Sequence, residues 1–108
     1  GIYAKEFFIN IGIWDKIKSN IANSPNVRAA LSFISRGELE YGVVYKSDAL
    51  ADKRVKIIYD LDPALYSKVQ YPMTILNEKQ KTIDLYNFLR EKKAQKIFKR
   101  WGFKTHND

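Results

Sequence analysis

The stretch NVRAALSFISRGELEYGVVY, from Asn26 to Tyr45, constrains the fold more than any other part of the chain. Asn26 is a good helix N-cap, because its side-chain oxygen can take a backbone N–H that the first turn leaves unpaired. Val27, Ala30, Leu31 and Ile34 then recur on one helical face, with Phe33 at its edge. Gly37 stops the helix. The short apolar run YGVVY, residues 41–45, follows with strand length and β composition. A capped helix, a glycine stop and a buried strand make an αβ unit. Its two ends carry chemistry. Free N–H groups and the helix dipole at the Asn26 end favour an anion, and the Tyr45 hydroxyl could add a donor. An ordinary cap in an ordinary αβ unit fits the same spacing.

The flanking segments continue the alternation. IYAKEFFINI (2–11) lines Tyr3, Phe7 and Ile11 along one helical stripe, with Gly12 as its stop. Trp14-Asp15-Lys16-Ile17 is a short helical turn, and residues 19–25 form a polar loop in which Pro25 disfavours helix at Ser24. Residues 47–51 make a helical turn capped by Ser47, and Asp52-Lys53-Arg54 is a charged turn. VKIIYDL (55–61) reads as a second strand. Pro63 breaks the pattern and 64–68 connect. VQYPMTIL (69–76) is strand-like, but Pro72 limits it to an edge or a crossover. A helix is expected over 79–91, with Ile83, Tyr86 and Leu85 or Leu89 inward. A last amphipathic helix carries Ala94, Ile97, Phe98 and Trp101 and stops at Gly102, before a frayed polar tail from Lys104. Helices alternating with strands predict an α/β fold.

Composition narrows the function classes. With 108 residues, 45% hydrophobic and 29% charged, the chain suits one small globular domain. No apolar run reaches the ~20 residues of a membrane helix. There is no cysteine, so disulfides, thiolate metal sites and cysteine nucleophiles are excluded. The net charge is +7, and +5 of it falls in residues 89–108. Lys92, Lys96, Lys99 and Arg100 share one helical face, opposite Ile97 and Trp101. That face could meet an acidic partner or nucleic acid, or simply be solvated. YGVVY lacks the basic-aromatic pattern of an RNA-binding strand, so a nucleic-acid module is a minor reading.

Catalytic constellations are sparse. The single histidine, His106, is the third residue from the end, which leaves no Ser-His-Asp triad and no histidine-rich metal site. Glu38 with Glu40, and Asp60 with Asp62, are carboxylate pairs beside turns and read as solvated turn residues. Arg28, in the first helical turn after Asn26, could pair an anion or be an exposed surface charge. No Gly-rich phosphate loop is present.

Four groups of words in register carry a family resemblance: GIYAKEFF, NVRAALSFISRGELEYGVVYKSDALA, VKIIYDL with VQYPMTIL, and AQKIFKRWGF. In this order they resemble the C-terminal half of the periplasmic molybdate-binding proteins of bacterial ABC transporters, over essentially all 108 residues. The resemblance implies a type II periplasmic binding protein-like α/β fold, with a tetrahedral oxyanion, molybdate or tungstate, held between two lobes by neutral donors. Residues 1–70 are expected to be the second half of the central ligand-binding lobe. Residues 71–108 are expected to be a crossover strand and C-terminal helices of the other lobe. The family's backbone donor falls on Val27 and its tyrosine donor on Tyr45, both as oxyanion contacts, with no separate metal and no cofactor. A further backbone donor is expected just before Gly1, and two serines in an N-terminal half. The start at Gly1 reads as a processed or cut piece, and such a piece is expected to self-associate or swap elements. The implied partners are the oxyanion and a membrane permease, with no nucleic acid. The implied location is periplasmic, or anchored outside the cytoplasmic membrane. Sulfate or an organic anion, or a ligand-sensing domain of a regulator, are the alternatives on the same fold.

Overall fold

Helix α1, Ile2–Asn10, ends as its sequence predicts. Gly12 adopts φ 80°, and its N–H and that of Ile13 return to the carbonyls of Ile9 and Phe8 at 3.0 and 3.1 Å. These are the two bonds of a Schellman stop, which satisfy carbonyls the helix itself leaves open. In this computed structural model, which describes residues 1–105, the same motif closes three of the helices. His106 lies outside the described residues, as does most of the polar tail.

The chain divides into two compact units, Gly1–Val69 and Gln70–Asp108. In the first, α1 packs on the short helix α2, Trp14–Ile17, which runs into a 3-10 turn at Lys18–Asn20. A second 3-10 turn, Pro63–Leu65, also seats on α1. Two hydrogen bonds pin it across a long stretch of sequence. Asn10 Nδ2 donates to the Leu65 carbonyl at 2.8 Å, and the Ser67 hydroxyl donates to Glu6 at 2.9 Å. Phe7 is buried on this side of α1, edge-on to Phe8. Helix α3, Val27–Ser35, pairs with α4, Lys46–Ala51, whose Ala49 is buried.

In the second unit, α5, Gln80–Arg90, and α6, Lys92–Arg100, share Glu91 as the end of one and the start of the other. Its extended backbone, φ −79° and ψ 161°, breaks the helix and lets α6 fold back so that Ala94 is buried. Gln95 Nε2 donates to the Leu89 carbonyl at 3.0 Å and satisfies part of the α5 terminus. Phe103, just past the Gly102 stop, packs edge-on against Phe98, the hydrophobic contact that accompanies a Schellman motif. Tyr71 also meets Phe103 edge-on, with ring centroids 5.7 Å apart. Ile83, Tyr86 and Leu89 of α5 are half-buried as expected, whereas Leu85 is exposed.

The expected strands at 41–45, 55–61 and 69–76 are not formed: no strand ladder occurs among the described residues. β composition favours extended backbone, but a strand exists only when its N–H and C=O groups pair laterally with another segment. These three segments run singly. Many of their apolar side chains are accordingly open, with Ile58 at 68% and Leu76 at 91% of full exposure. The α/β alternation therefore appears as helices linked by unpaired apolar segments. Such contiguous exposed apolar surface is what a further layer of structure would cover.

Candidate anion site at the paired helix starts

Asn26 caps α3 as expected. Its backbone is extended, its side-chain Oδ1 accepts the Ala29 N–H at 2.8 Å, and its carbonyl accepts the Ala30 N–H at 3.2 Å. That accounts for two N–H groups of the first turn. Among the described residues, none accepts from the N–H of Val27 or Arg28. Both groups lie at the positive end of the helix dipole. Val27 itself is half-buried by its side chain.

The structure places Tyr45 differently from its expected position at the end of a strand. It is the N-cap of α4, with φ −72° and ψ 140°, and its carbonyl accepts the Ala49 N–H at 3.1 Å. The expected cap, Ser47, sits inside the first turn, and no side-chain cap bond is made. The physical reason is where the chain turns. Gly42 passes so close to α3 that a Cβ there would stand 2.9 Å from Ile34 Cγ1, and the chain enters α4 directly after this approach. Tyr45 is half-buried, and the neighbouring Lys46 reaches Asp60 at 3.2 Å.

Two features define how α3 and α4 lie. Near their starts, Arg28 Nη2 is 3.4 Å from Asp48 Oδ1. Further along, Ser35 and Asp52 line the same groove between the helices. First turn meets first turn, so the starts of the two helices lie together. Val27 and Tyr45 consequently stand at the same end of the pair. The groove between the helices is lined by Leu31, Ser32 and Ala51 together with these polar residues.

The electrostatics differ at the two ends. At the far end Arg54 wraps Asp52: its backbone N–H and Nε donate to Oδ1, both at 3.0 Å, and Nη2 donates to Oδ2 at 2.9 Å. These bonds, with a smaller contribution from Ser35, hold the Asp52 carboxyl below the ordinary carboxylate range and raise the Arg54 guanidinium. At the near end Asp48 is mostly covered, its side chain 20% exposed, while Arg28 is 86% exposed. Solvent around Arg28 screens the pair and keeps its contribution to stability modest.

The carboxylate pairs are not brought together for acid–base work. Glu38 pairs with Arg36 at 3.0 Å, and Asp60 with Lys46. Asp62 accepts the Ala64 N–H at 2.9 Å and caps the 3-10 turn. No group of three metal-ligating side chains occurs among the described residues. The Arg28–Asp48 pairing was missed by sequence reasoning. Its partners are twenty residues apart, and only the first-turn position of Arg28 hinted at a role.

Known proteins align with the same segments. The family model of the bacterial extracellular solute-binding proteins matches residues 1–104. The chain is 38% identical over 105 residues to the molybdate-binding protein ModA of Escherichia coli, and 31% identical over 105 residues to that of Haemophilus influenzae. It is 34% identical over 106 residues to the putative ABC transporter substrate-binding lipoprotein YvgL of Bacillus subtilis. Each match covers 95% of this chain and 41% of the relative, so the chain spans well under half the length of these proteins. Membership carries the periplasmic binding protein fold, of which the described residues show the helices and the unpaired apolar segments between them. The chain belongs to the family of bacterial extracellular solute-binding proteins.

Proposed function

We propose that this chain supplies one wall of an interlobe cleft that binds a tetrahedral oxyanion, molybdate or tungstate, for delivery to an ABC permease. The observation that carries the reading is the common end of α3 and α4. The Val27 N–H, unengaged among the described residues, stands at the same end as Tyr45. The two ModA relatives are named for molybdate binding, which supports the choice of anion. In this reading Val27 donates through its backbone and Tyr45 through its hydroxyl. Neutral donors suit a dianion that must later be released, because they give full hydrogen bonds without a tightly bound counter-charge.

The two units correspond in this reading to the two lobes. Residues 1–70 form the second half of the ligand-binding lobe, and 71–108 form the return into the other. The remaining wall, including two serine donors, comes from residues outside this chain, and the exposed apolar segments become paired strands when that part is present. The protein binds rather than catalyses, and it works in the periplasm or anchored outside the cytoplasmic membrane. The family is extracellular and one relative is named a lipoprotein. No helix among the described residues is long and apolar enough to cross a membrane.

The name of the lipoprotein relative specifies no ligand, which keeps a second reading open: the same fold holding sulfate or an organic anion. Calorimetry on the intact protein that carries these residues, titrated separately with molybdate, tungstate and sulfate, decides between them. Saturable heat with molybdate and tungstate and none with sulfate supports the first reading. Heat with sulfate alone supports the second.

A further inference from the structure

Arg28 is the second residue of α3 and Asp48 the third of α4, so their ion pair crosses between the two first turns at the end where Val27 and Tyr45 stand. Asp48 is the more enclosed partner, 20% exposed against 86% for Arg28. A carboxylate in the first turn of a helix is locally favourable, because it faces the positive end of the dipole. Beside a site for a dianion the same charge is a liability, since like charges at short range repel through a partly enclosed medium. Arg28 is the only cation paired with Asp48 among the described residues. With Arg28 open to solvent the pair is screened from one side, so its contribution to stability is modest.

We propose that Arg28 and Asp48 are a charge-balancing pair for the oxyanion site. Arg28 is a positioning residue: it cancels the Asp48 carboxylate and holds the two helix starts together, so the anion meets neutral donors at a site with no net charge. The balance also limits affinity from the other side. With Asp48 neutralised, the unopposed guanidinium would hold the dianion and slow its release, which a delivery protein cannot tolerate. This inference rests on the oxyanion reading proposed above.

The test is a charge cycle in the intact protein that carries these residues, with molybdate calorimetry, dissociation rates and melting temperatures for the parent, Arg28→Met, Asp48→Asn and the double variant. Arg28→Met should bind about tenfold more weakly, with the deficit shrinking as salt is raised. Asp48→Asn should bind at least as tightly as the parent and release more slowly. The double variant should return to within about twofold of the parent, since the net charge is restored. Arg36→Met, which removes one positive charge at the far end of α3 where Arg36 pairs with Glu38, serves as the matched control and should bind like the parent. Equal weakening in both single variants and the double would make the pair a mechanical fastener and overturn charge balancing. Parent-like binding in all of them would overturn any role for the pair. A parent that binds no molybdate overturns the oxyanion reading itself, and this inference with it.

Discussion

The Asn26 side-chain oxygen accepts the Ala29 N–H at 2.8 Å and leaves the N–H of Val27 pointing out of the helix start. One side chain thus starts α3 and leaves aside the donor proposed for the anion. Asn26→Ala should cost ~1 kcal/mol of stability, read as a lowered midpoint in urea unfolding. Asn26→Asp separates the two roles. An aspartate caps as well as an asparagine, so stability should be kept, while its charge beside the donors should weaken oxyanion binding. Undiminished molybdate affinity in Asn26→Asp would place the anion elsewhere.

How much of this was legible in the sequence follows from the range of the forces. The caps and stops are local: Asn26 needs only the N–H three residues on, and Gly37 needs only its own φ of 74° and two bonds back to Phe33 and Ile34. The helices they bound were therefore readable within a residue or two. The segments 41–45, 55–61 and 69–76 have strand composition, yet pairing depends on a distant partner that no local pattern supplies. The family motif points to Tyr45 and its composition to a strand, whereas the chain makes it the N-cap of α4, after Gly42 passes close to Ile34. The Arg28–Asp48 pair needs α3 and α4 side by side and has no sequence signal of its own.

That close passage makes Gly42 a sensitive position. A methyl there would meet Ile34 Cγ1 at 2.9 Å and Cδ1 at 3.1 Å. Gly42→Ala should cost ~1–2 kcal/mol, because Ile34 must leave its rotamer or the segment must lift from α3. Combining it with Ile34→Val, which removes the Cδ1 contact, should recover part of the loss. Thermal unfolding of the two variants and their combination measures the coupling.

The Asp52–Arg54 bonds predict an acid-side weakness. The Asp52 carboxyl titrates below its ordinary value in the folded chain, so folding favours its ionised form. Its contribution is complete above the unfolded value, about 4, and is lost as pH falls through the lower folded value. Asp52→Asn should remove that part of the pH dependence while leaving the neutral-to-basic side unchanged. Urea midpoints for both proteins between pH 2 and 7, in about 0.1 M salt, check the sign. A parent whose stability rose on acidification through this range would contradict it.

Gly37 tests the local half of the account in isolation. Its backbone, at φ 74°, lies where a side chain is strained, although space around it is open. Gly37→Ala should therefore cost ~1 kcal/mol through conformation alone, and Gly37→Asn less, since asparagine tolerates this region. Chemical denaturation of the two variants should rank them in that order.

The most direct test of the central claim is the Tyr45 hydroxyl. Tyr45→Phe removes one oxygen and keeps the ring, the N-cap backbone and the fold of α4. Calorimetry of the intact parent and this variant with molybdate should show affinity weakened by about 1–2 kcal/mol, roughly tenfold. Equal molybdate affinity in the two proteins would remove Tyr45 from the site and contradict the assignment of the α3–α4 starts as its wall.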